Sequence, residues 1–411
     1  MSTNDKNIFL DTAWDIACAL IKSSIWHNDA CTWQGYSMEA VNGKYEGILR
    51  TFGADIYSGT SGIALFLTAL YSEKKDPIVL QTIEGCLSQM TALMHTAPDH
   101  GFYSGKPGIA AALIKIGSQL DRKEHVDAGI QLLESIPVTS LQSHEIDVIS
   151  GAAGTIPVLL DVYKAYNKSV LLDKAIALGE LLYHSAEKNK EAWSWPTVPS
   201  QKHLTGFSHG SSGIALALLQ LYKATENPQF LEAATGGFNY ERQSFDASQH
   251  NWPDFRDGVS TTYGNVCGMA WCHGAPGIAL SRLKANQIKP DAAFEREMFI
   301  AITTTKDNIY HNLMDNLNHT NYSLCHGIAG NAEILLDCSP ELDQLAESVG
   351  TAGIYKYRTN RLPWPTGVNT GQYTPGLMMG IAGTGYFYLR LFDPKKHQSL
   401  LLPGCSISTS F

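Results

Sequence analysis

The chain has 411 residues, of which 44% are hydrophobic and 17% are charged, and its formal net charge is −9. This composition permits a large buried core and excludes a wholly disordered chain. Nucleic acids and anionic membrane surfaces call for a basic face, so the acidic balance leads us to expect neither as a partner.

The N-terminal stretch "MSTNDKNIFLDTAWDI" lacks the basic start and the apolar core of a signal peptide. No apolar run approaches the length of a membrane span. We therefore expect a cytoplasmic protein without membrane insertion. The eight cysteines are widely spread, so we expect buried free thiols rather than a disulfide framework.

An internal repeat organises the chain, because the frame G-x-x-G opens an apolar stretch seven times. The first glycines are separated by 46, 46, 59, 64, 53 and 53 residues. Regular self-similarity of this kind indicates one structural unit repeated with insertions. In chain order the repeats read "YSGTSGIALFL" (Gly59), "YSGKPGIAAAL" (Gly105), "ISGAAGTIPVLL" (Gly151), "SHGSSGIALALL" (Gly210), "CHGAPGIALSRL" (Gly274), "CHGIAGNAEILL" (Gly327) and "MMGIAGTGYFYL" (Gly380).

Each repeat predicts two helices. The stretch that follows each G-x-x-G is apolar almost all round, which is typical of a buried helix. A second, amphipathic segment often follows, such as "NPQFLEAATGGFNYER", in which Pro228 fits a helix start. The glycines suit a tight turn that needs positive φ or close backbone approach. We predict an all-α protein, an α/α toroid of seven inner and outer helices over residues 54–411, preceded by a helical extension over residues 1–53 that packs on the toroid.

In a closed toroid, the glycine turns lie together at one end of the ring, and the fifth and sixth turns are neighbours. Cys272, Cys325 and His326 lie in those two turns. Two thiolates and one imidazole suit a zinc ion with an open fourth position, and the alternative is two buried thiols that pack beside glycine turns. His273 also follows a cysteine, so the residues alone leave open which histidine is the ligand.

Other candidate residues lie before the third and fourth turns and in the insertion after the fourth. His209 suits an acid or base, and Asp147 suits a partner that orients it. The alternatives are a structural histidine and a helix cap. Arg256, in "HNWPDFRDG", suits a carboxylate or a peptide carbonyl, unless it forms a structural ion pair. Tyr57 and Tyr103 precede the first two turns and line the toroid in this interpretation.

These motifs resemble the lanthionine synthetase C (LanC-like) family, the cyclases of lanthipeptide biosynthesis. The resemblance covers Tyr57 to Leu391, and it is closer to the cyclase domain of the bifunctional class II synthetases than to the stand-alone class I cyclases. It implies the α/α-toroid fold with seven inner helices. The segments that carry it are "HLTGFSHGSSGIALAL", "NWPDFRD", "WCHGAPGIALSRL" and "SLCHGIAGNAEILL".

The resemblance also implies site residues and a reaction. The family's ligands for one zinc ion carry over to Cys272, Cys325 and His326, and its active-site histidine and paired aspartate to His209 and Asp147. The implied reaction is intramolecular addition of a peptide cysteine thiolate to dehydroalanine or dehydrobutyrine, which forms a thioether ring. The implied partner is a dehydrated precursor peptide with a leader.

The sequence departs from the family in two places. About fifty residues precede the first turn, so the large dehydratase region of the bifunctional enzymes is missing, and we expect either a separate enzyme that dehydrates the peptide or a cyclase from a split system. An arginine that class I cyclases have four residues before the first zinc cysteine is Gly268 here, so its role is absent or passes to Arg256. His273 is a further candidate for a group that faces the pocket or supports the site.

Three other functions fit parts of this pattern. A family member that adds glutathione to dehydroamino acids would share the fold and the zinc. An α/α-toroid glycosidase would need two carboxylates where these turns offer cysteine and histidine. A catalytically inactive peptide-binding toroid would not need the full set of five candidate residues.

Overall fold

The structure is a computed structural model that describes residues 3–41, 44–198, 202–256, 264–368 and 372–404. Within those ranges it contains fourteen α-helices and three two-stranded antiparallel hairpins. The prediction of a mainly helical chain is confirmed. None of the helices in these ranges is both long enough and apolar enough to cross a membrane.

Seven helices begin at the second residue of a G-x-x-G frame. They are the buried inner helices that the repeat predicts. In the first of them every residue from Thr60 to Leu70 is buried. An all-round apolar surface of this kind requires neighbours on every side. The inner helices are α2 (Thr60–Glu73), α4 (Lys106–Leu120), α6 (Ala152–Tyr166), α8 (Ser211–Thr225), α10 (Ala275–Ile288), α12 (Ile328–Cys338) and α14 (Ile381–Phe392).

Seven further helices are the outer ones, and they alternate with the inner helices along the chain. The predicted start at Pro228 is confirmed, and the Asn227 side chain caps that helix by accepting a hydrogen bond from the Gln229 amide at 3.1 Å. The outer helices are α1 (Thr3–Ser23), α3 (Pro77–Leu93), α5 (Lys123–Ser135), α7 (Ser169–Ser185), α9 (Pro228–Gln243), α11 (Ala292–Met314) and α13 (Asp343–Gly353).

Close packing explains the second glycine of the frame in several turns. At Gly62, Gly213 and Gly277 a Cβ atom would overlap a carbonyl of its own turn and would also meet a side chain of an adjacent turn at less than the 3.0 Å that real Cβ contacts keep. Of the seven first glycines, all in the described ranges, only Gly274 has a positive φ, at 92°. A Cβ atom added at Gly62 would lie 2.6 Å from Leu377 Cβ. One added at Gly213 would lie 2.5 Å from Val148 Cγ2, and one added at Gly277 would lie 2.8 Å from Phe207 Cβ.

The chain divides into two compact units that exchange segments along the sequence. The first unit holds the first, sixth and seventh turns, and the second unit holds the other four. The first unit comprises Met1–Ala97, Ala112–Gly129 and Ile309–Leu401, and the second comprises Pro98–Ala111, Ile130–Asn308 and Leu402–Phe411.

In the first unit, backbone hydrogen bonds connect the three turns in the order six, seven, one. The Cys325 amide donates to the Met378 carbonyl at 2.9 Å, and the Met378 amide donates to the Tyr57 carbonyl at 2.9 Å. The last repeat therefore lies directly beside the first. An open solenoid would keep its first and last repeats apart.

In the second unit, the same kind of bond connects turns two to five in chain order. The Tyr103 amide donates to the Ile149 carbonyl at 3.2 Å, and the Val148 amide donates to the Ser208 carbonyl at 3.1 Å. The Ser208 amide then donates to the Cys272 carbonyl at 3.3 Å. Successive turns are thus held in register by their backbones, whatever side chains they carry.

The N-terminal region differs from the helical extension that we expected for residues 1–53. Only α1 is helical, and two hairpins follow it, pairing Ile25–His27 (β1) with Ala30–Thr32 (β2) and Gln34–Val41 (β3) with Lys44–Thr51 (β4). The sequence between β3 and β4 is Asn-Gly, a strong hairpin signal between alternating strands that the helical interpretation overlooked.

Helix α1 takes the place of the outer helix that the seventh repeat lacks. It packs against α14, where the Phe9 and Tyr388 ring centroids are 6.1 Å apart. Helix α1 also contacts the helical turn that follows α13, where Arg358 Nε donates to Asp15 Oδ2 at 2.7 Å. The division into residues 1–53 and 54–411 stays a prediction, but α1 completes the repeat count within the first unit.

Three outer helices each have a buried tryptophan that caps the C-terminal end. Each tryptophan follows a hairpin or a β-bridge, and its indole N–H donates to a carbonyl in the last turn of the preceding outer helix, where intrahelical donors run out. The third hairpin pairs Glu187–Asn189 (β5) with Ala192–Ser194 (β6). The bonds are Trp33 to Leu20 at 2.8 Å, Trp195 to Leu182 at 2.8 Å and Trp252 to Glu241 at 3.1 Å.

We predict that Trp195→Phe lowers the free energy of unfolding by about 1–3 kcal/mol, because it removes part of a buried ring and the shorter of the two hydrogen bonds to the Leu182 carbonyl, which keeps only the Ser185 hydroxyl as a donor. Urea denaturation followed by circular dichroism measures this. Trp26→Phe is the control, because that ring is 40% exposed and its indole bonds only to the exposed Ser24 hydroxyl. Equal midpoints for the two variants would contradict the role of Trp195.

Candidate metal centre

The fifth turn presents Cys272 from a constrained backbone. Its carbonyl accepts hydrogen bonds from both the amide and the hydroxyl of Ser208, each at 3.3 Å. Gly274 follows with φ at 92°, and a Cβ there would overlap the Gly268 carbonyl. Because only glycine fits that position without strain, the turn holds the half-buried Cys272 side chain in a defined place.

The sixth turn presents Cys325 and His326. Cys325 is 3% exposed, and its amide is bonded to the Met378 carbonyl. His326 Nε2 lies 2.8 Å from the Gly367 carbonyl oxygen. A carbonyl only accepts, so Nε2 carries the hydrogen and Nδ1 keeps its lone pair free for a metal. The backbone of Gly367 therefore selects the histidine tautomer that can act as a ligand through Nδ1.

Cys272, Cys325 and His326 form a group that could hold a metal ion, and within the described ranges no other group of histidine, cysteine and acidic side chains does so. One ligand atom from each lies within 4.8 Å of the others. Two sulfurs and one imidazole nitrogen are donors that zinc prefers, and three protein ligands leave a tetrahedral site one open position. His273, the histidine that competed with His326 in the sequence, is not in the group.

His209 and Asp147 form an ion pair in the second unit. His209 Nδ1 lies 2.5 Å from Asp147 Oδ2, and the other carboxylate oxygen accepts the Ser150 amide at 2.7 Å. Asp147 therefore caps the third turn and orients His209 at the same time. Burial alone would lower the pKa of His209, but the charge and hydrogen bond of Asp147, with the charge of Cys272, raise it above the ordinary value.

His273 is buried behind His209, with the two ring centroids 5.9 Å apart. Neither of its ring nitrogens has a hydrogen-bond partner among the described residues. Burial, and then the positive charge of Arg256, lower the pKa of His273 to about 3, so the ring is neutral. Its Nδ1 lies 4.0 Å from Asp254 Oδ1, so the Asp254 carboxylate is its nearest charged neighbour.

Arg256 lies in an ion pair with Asp254. Its Nε donates to both carboxylate oxygens at 3.0 Å, and the carboxylate is almost fully buried. Burial opposes ionisation of Asp254, but the hydrogen bonds from Arg256 outweigh it and lower its pKa. Asn251, in the same segment, accepts the Ala275 amide at 2.7 Å and so fixes the segment beside the fifth turn. These contacts fit the structural ion pair that the sequence left as the alternative.

Sequence reasoning missed three contributors to the site. The Gly367 carbonyl that orients His326 carries no side-chain signal and follows from the tertiary structure alone. Asp254 was visible in the "WPDFR" motif beside Arg256, but its part in holding that arginine was not. Tyr57, which we expected only to line the toroid, donates its hydroxyl to Cys325 Sγ at 3.1 Å.

The Lanthionine synthetase C-like protein family matches residues 51–403 of the chain. The chain belongs to this family. The resemblance inferred from the G-x-x-G turns and the two C-H-G frames is thereby confirmed, and so is its extent along the chain.

Known proteins agree with this membership. The chain is 27% identical over 407 residues to the lacticin 481/lactococcin biosynthesis protein LcnDR2 of Lactococcus lactis subsp. lactis, and the match covers 93% of the chain but 41% of that relative. The LanC-like chain thus spans less than half the length of this relative. Among solved structures it is similar to nisin cyclase, with a TM-score of 0.65 at 19% identity, over 85% of this chain and 91% of that one.

The similarity to nisin cyclase shows the fold and, at this identity, the fold alone. The α/α-toroid class predicted from seven G-x-x-G repeats is confirmed. The three hairpins are additions to a helical framework.

We predict that Asp147→Asn lowers the pKa of His209, because the variant loses the carboxylate charge that raises it. NMR titration of the ¹³C-labelled histidine rings measures this. The raised pKa also means that the pair stabilises the folded protein fully below the unfolded pKa of about 6.5 and that this contribution is lost as the pH rises through the folded pKa. Asp147→Asn should therefore destabilise the protein more at pH 6 than at pH 9.

Asp173→Asn is the control, because it removes an exposed carboxylate from the outer helix α7. It should leave the His209 titration unchanged. A His209 curve that is the same in Asp147→Asn and in the unaltered protein would show that the carboxylate does not set the charge of the ring.

Proposed function

We propose that this chain is a zinc-dependent lanthipeptide cyclase, which adds peptide cysteine thiolates to dehydroalanine or dehydrobutyrine within one peptide. The observation that carries the proposal is the group of two cysteines and one histidine in a member of the LanC-like family. A hydrolytic zinc site often uses histidines and carboxylates, whereas two thiolates make the metal electron-rich and keep a bound substrate sulfur nucleophilic.

Cys272, Cys325 and His326 would hold one zinc ion per chain, with His326 bound through Nδ1. When bound, the zinc would lower the pKa of a cysteine thiol of the substrate, so that its thiolate forms near neutral pH. The three protein ligands leave the fourth position for that sulfur. The two cysteine ligands would keep that sulfur nucleophilic toward a carbon electrophile.

His209 supplies the proton that completes the addition. The substrate thiolate forms a bond to the β-carbon, the electrons of the carbon–carbon double bond move to the α-carbon and its carbonyl, and a proton then joins the α-carbon. Because Nδ1 of His209 is bound to Asp147, Nε2 is the atom that delivers the proton. The His209 side chain is 28% exposed, so a peptide can reach it. The proton released by the substrate thiol restores the imidazolium, and the reaction is an isomerisation overall.

His273 and Arg256 take supporting parts in this proposal. The neutral His273 ring, with two nitrogens that lack partners among the described residues, suits a hydrogen bond to a substrate amide. Arg256 is ion-paired with Asp254 and its side chain is 44% exposed, which suits it to contact a peptide carbonyl of the substrate. Both residues lie in the second unit with His209.

The substrate in this proposal is a dehydrated precursor peptide that still carries its leader. A dehydratase must act first, because serine and threonine do not accept a thiolate in this way. The role of LcnDR2 in lacticin 481 or lactococcin biosynthesis supports a lanthipeptide as the substrate class. We place the reaction in the cytoplasm as part of the same proposal.

Metal analysis tests the site. We expect about one zinc per chain in the purified protein and less than about a tenth of that in Cys325→Ala, because two remaining ligands bind weakly. Cys338→Ala is the control, since this half-buried cysteine ends α12 and lies outside the ligand group. Unaltered protein that takes up no zinc when supplied with it would overturn the proposed function.

A cyclisation assay tests the chemistry. The substrate is a synthetic peptide with one dehydroalanine and one cysteine, and the readout is loss of the maleimide-reactive thiol, since the ring has the same mass as the linear peptide. We expect His209→Asn to slow ring formation by about 10²–10⁴-fold while zinc content stays unchanged. His184→Asn, on the outer helix α7, is the control.

The assay also separates ring formation from addition of an external thiol. With glutathione present, the proposed cyclase gives the ring, whereas an enzyme that uses glutathione gives an adduct heavier by one glutathione. If the unaltered zinc-loaded protein leaves the peptide thiol intact, the protein is a catalytically inactive peptide-binding toroid and the cyclase proposal is wrong.

A further inference from the structure

Tyr57 and Cys325 are joined both by their side chains and by their backbones in the first unit. The Tyr57 hydroxyl donates to Cys325 Sγ at 3.1 Å. The Tyr57 carbonyl accepts the Met378 amide, and the Cys325 amide donates to the Met378 carbonyl, each at 2.9 Å. The Met378 backbone therefore sets the distance between the two residues. The contact between the Tyr57 hydroxyl and Cys325 Sγ follows from this arrangement of the turns.

The direction of this hydrogen bond matters chemically. A tyrosine hydroxyl is a good donor, and a thiolate is a charged acceptor that strengthens the bond. Tyr57 is half-buried and Cys325 is buried, so water competes poorly for the contact. The bond draws electron density from the sulfur, which makes it a weaker nucleophile toward carbon, and it fixes the position of the Cys325 side chain.

We propose that Tyr57 is a positioning residue that holds Cys325 as a metal ligand and suppresses its reaction with the substrate. This inference rests on the proposed function. In a cyclase of this kind, two protein sulfurs and the substrate sulfur meet one dehydroamino acid, and only the substrate sulfur should attack it. A hydrogen bond to one protein sulfur lowers its nucleophilicity without removing it from the metal.

The side reaction that Tyr57 opposes can be written out. The Cys325 sulfur would form a bond to the β-carbon of dehydroalanine, and the α-carbon would take a proton. The product is a protein thioether in place of a thiolate ligand. This addition is not readily reversed, so each event would cost the site one of its three metal ligands.

Cobalt substitution gives a readout other than activity. Loading the protein with Co²⁺ produces sulfur-to-cobalt charge-transfer absorption, whose energy reports the electron density on the sulfurs. We expect Tyr57→Phe to move this absorption to lower energy and to weaken metal binding about tenfold in competition with a chelator. Tyr57→Gln, which restores an N–H donor, should recover part of both changes.

Tyr388→Phe is the matched control. Tyr388 is also in the first unit, is fully buried, and donates its hydroxyl to the Gly350 carbonyl at 2.9 Å rather than to a sulfur. It should lower stability without moving the cobalt absorption or the metal affinity. A loss of structure in Tyr57→Phe would likewise be recognised by its circular dichroism.

Alkylation measures the reactivity of the sulfur directly. The metal-loaded proteins are treated with iodoacetamide, and Cys325 is followed by peptide mapping. We expect Cys325 to be alkylated about tenfold faster in Tyr57→Phe than in the unaltered protein, and at the unaltered rate in Tyr388→Phe.

The outcomes separate this inference from the proposed function. Unaltered protein that binds neither zinc nor cobalt would overturn both. Metal binding by the unaltered protein, with identical spectra, affinity and alkylation rates in Tyr57→Phe, would overturn the role of Tyr57 and leave the cyclase proposal standing.

Discussion

The backbone hydrogen bonds between neighbouring turns are the constraint on which the site depends. Each connects residues near the first glycine of one turn to the same register of another, as in Cys325 to Met378 and Met378 to Tyr57. The second glycine of the frame lets turns pack this closely where a Cβ atom would collide, as at Gly62 beside Leu377. A side chain there would push the turns apart and displace every group that they carry.

Register then decides which side chains can meet. Tyr57, Cys272 and Cys325 all lie two residues before the first glycine of their turns, and the histidines of the fourth, fifth and sixth turns lie one residue before it. The repeat therefore offers equivalent positions that different residues can fill. Substituting one residue of a turn changes the chemistry while the backbone bonds that carry the fold remain, which is how one framework can host several functions.

Much of this could be read from the sequence because the repeat is periodic and its apolar helices are buried all round. The inner helices and the cysteine positions follow from the G-x-x-G frame alone. What the sequence hid depends on contacts between distant segments: α1 as the outer helix of the last repeat, the Gly367 carbonyl that orients His326, and the Tyr57 hydroxyl on Cys325. The hairpin of β3 and β4 could have been predicted from the sequence, since Asn-Gly between alternating strands is a local signal.

The three histidines that precede the glycines show why position alone does not assign a role. His209 is held next to the Asp147 carboxylate and has a raised pKa, and His273 is buried without such a hydrogen bond and is neutral. His326 donates Nε2–H to a backbone carbonyl and leaves Nδ1 free. The same motif thus yields an imidazole with a raised pKa, a neutral buried ring and an imidazole that donates from Nε2, and the proposed function assigns the first as an acid and the last as a metal ligand. Because each state is imposed by partners outside the motif, the partner groups Asp147 and Gly367 belong to the chemistry as much as the histidines do.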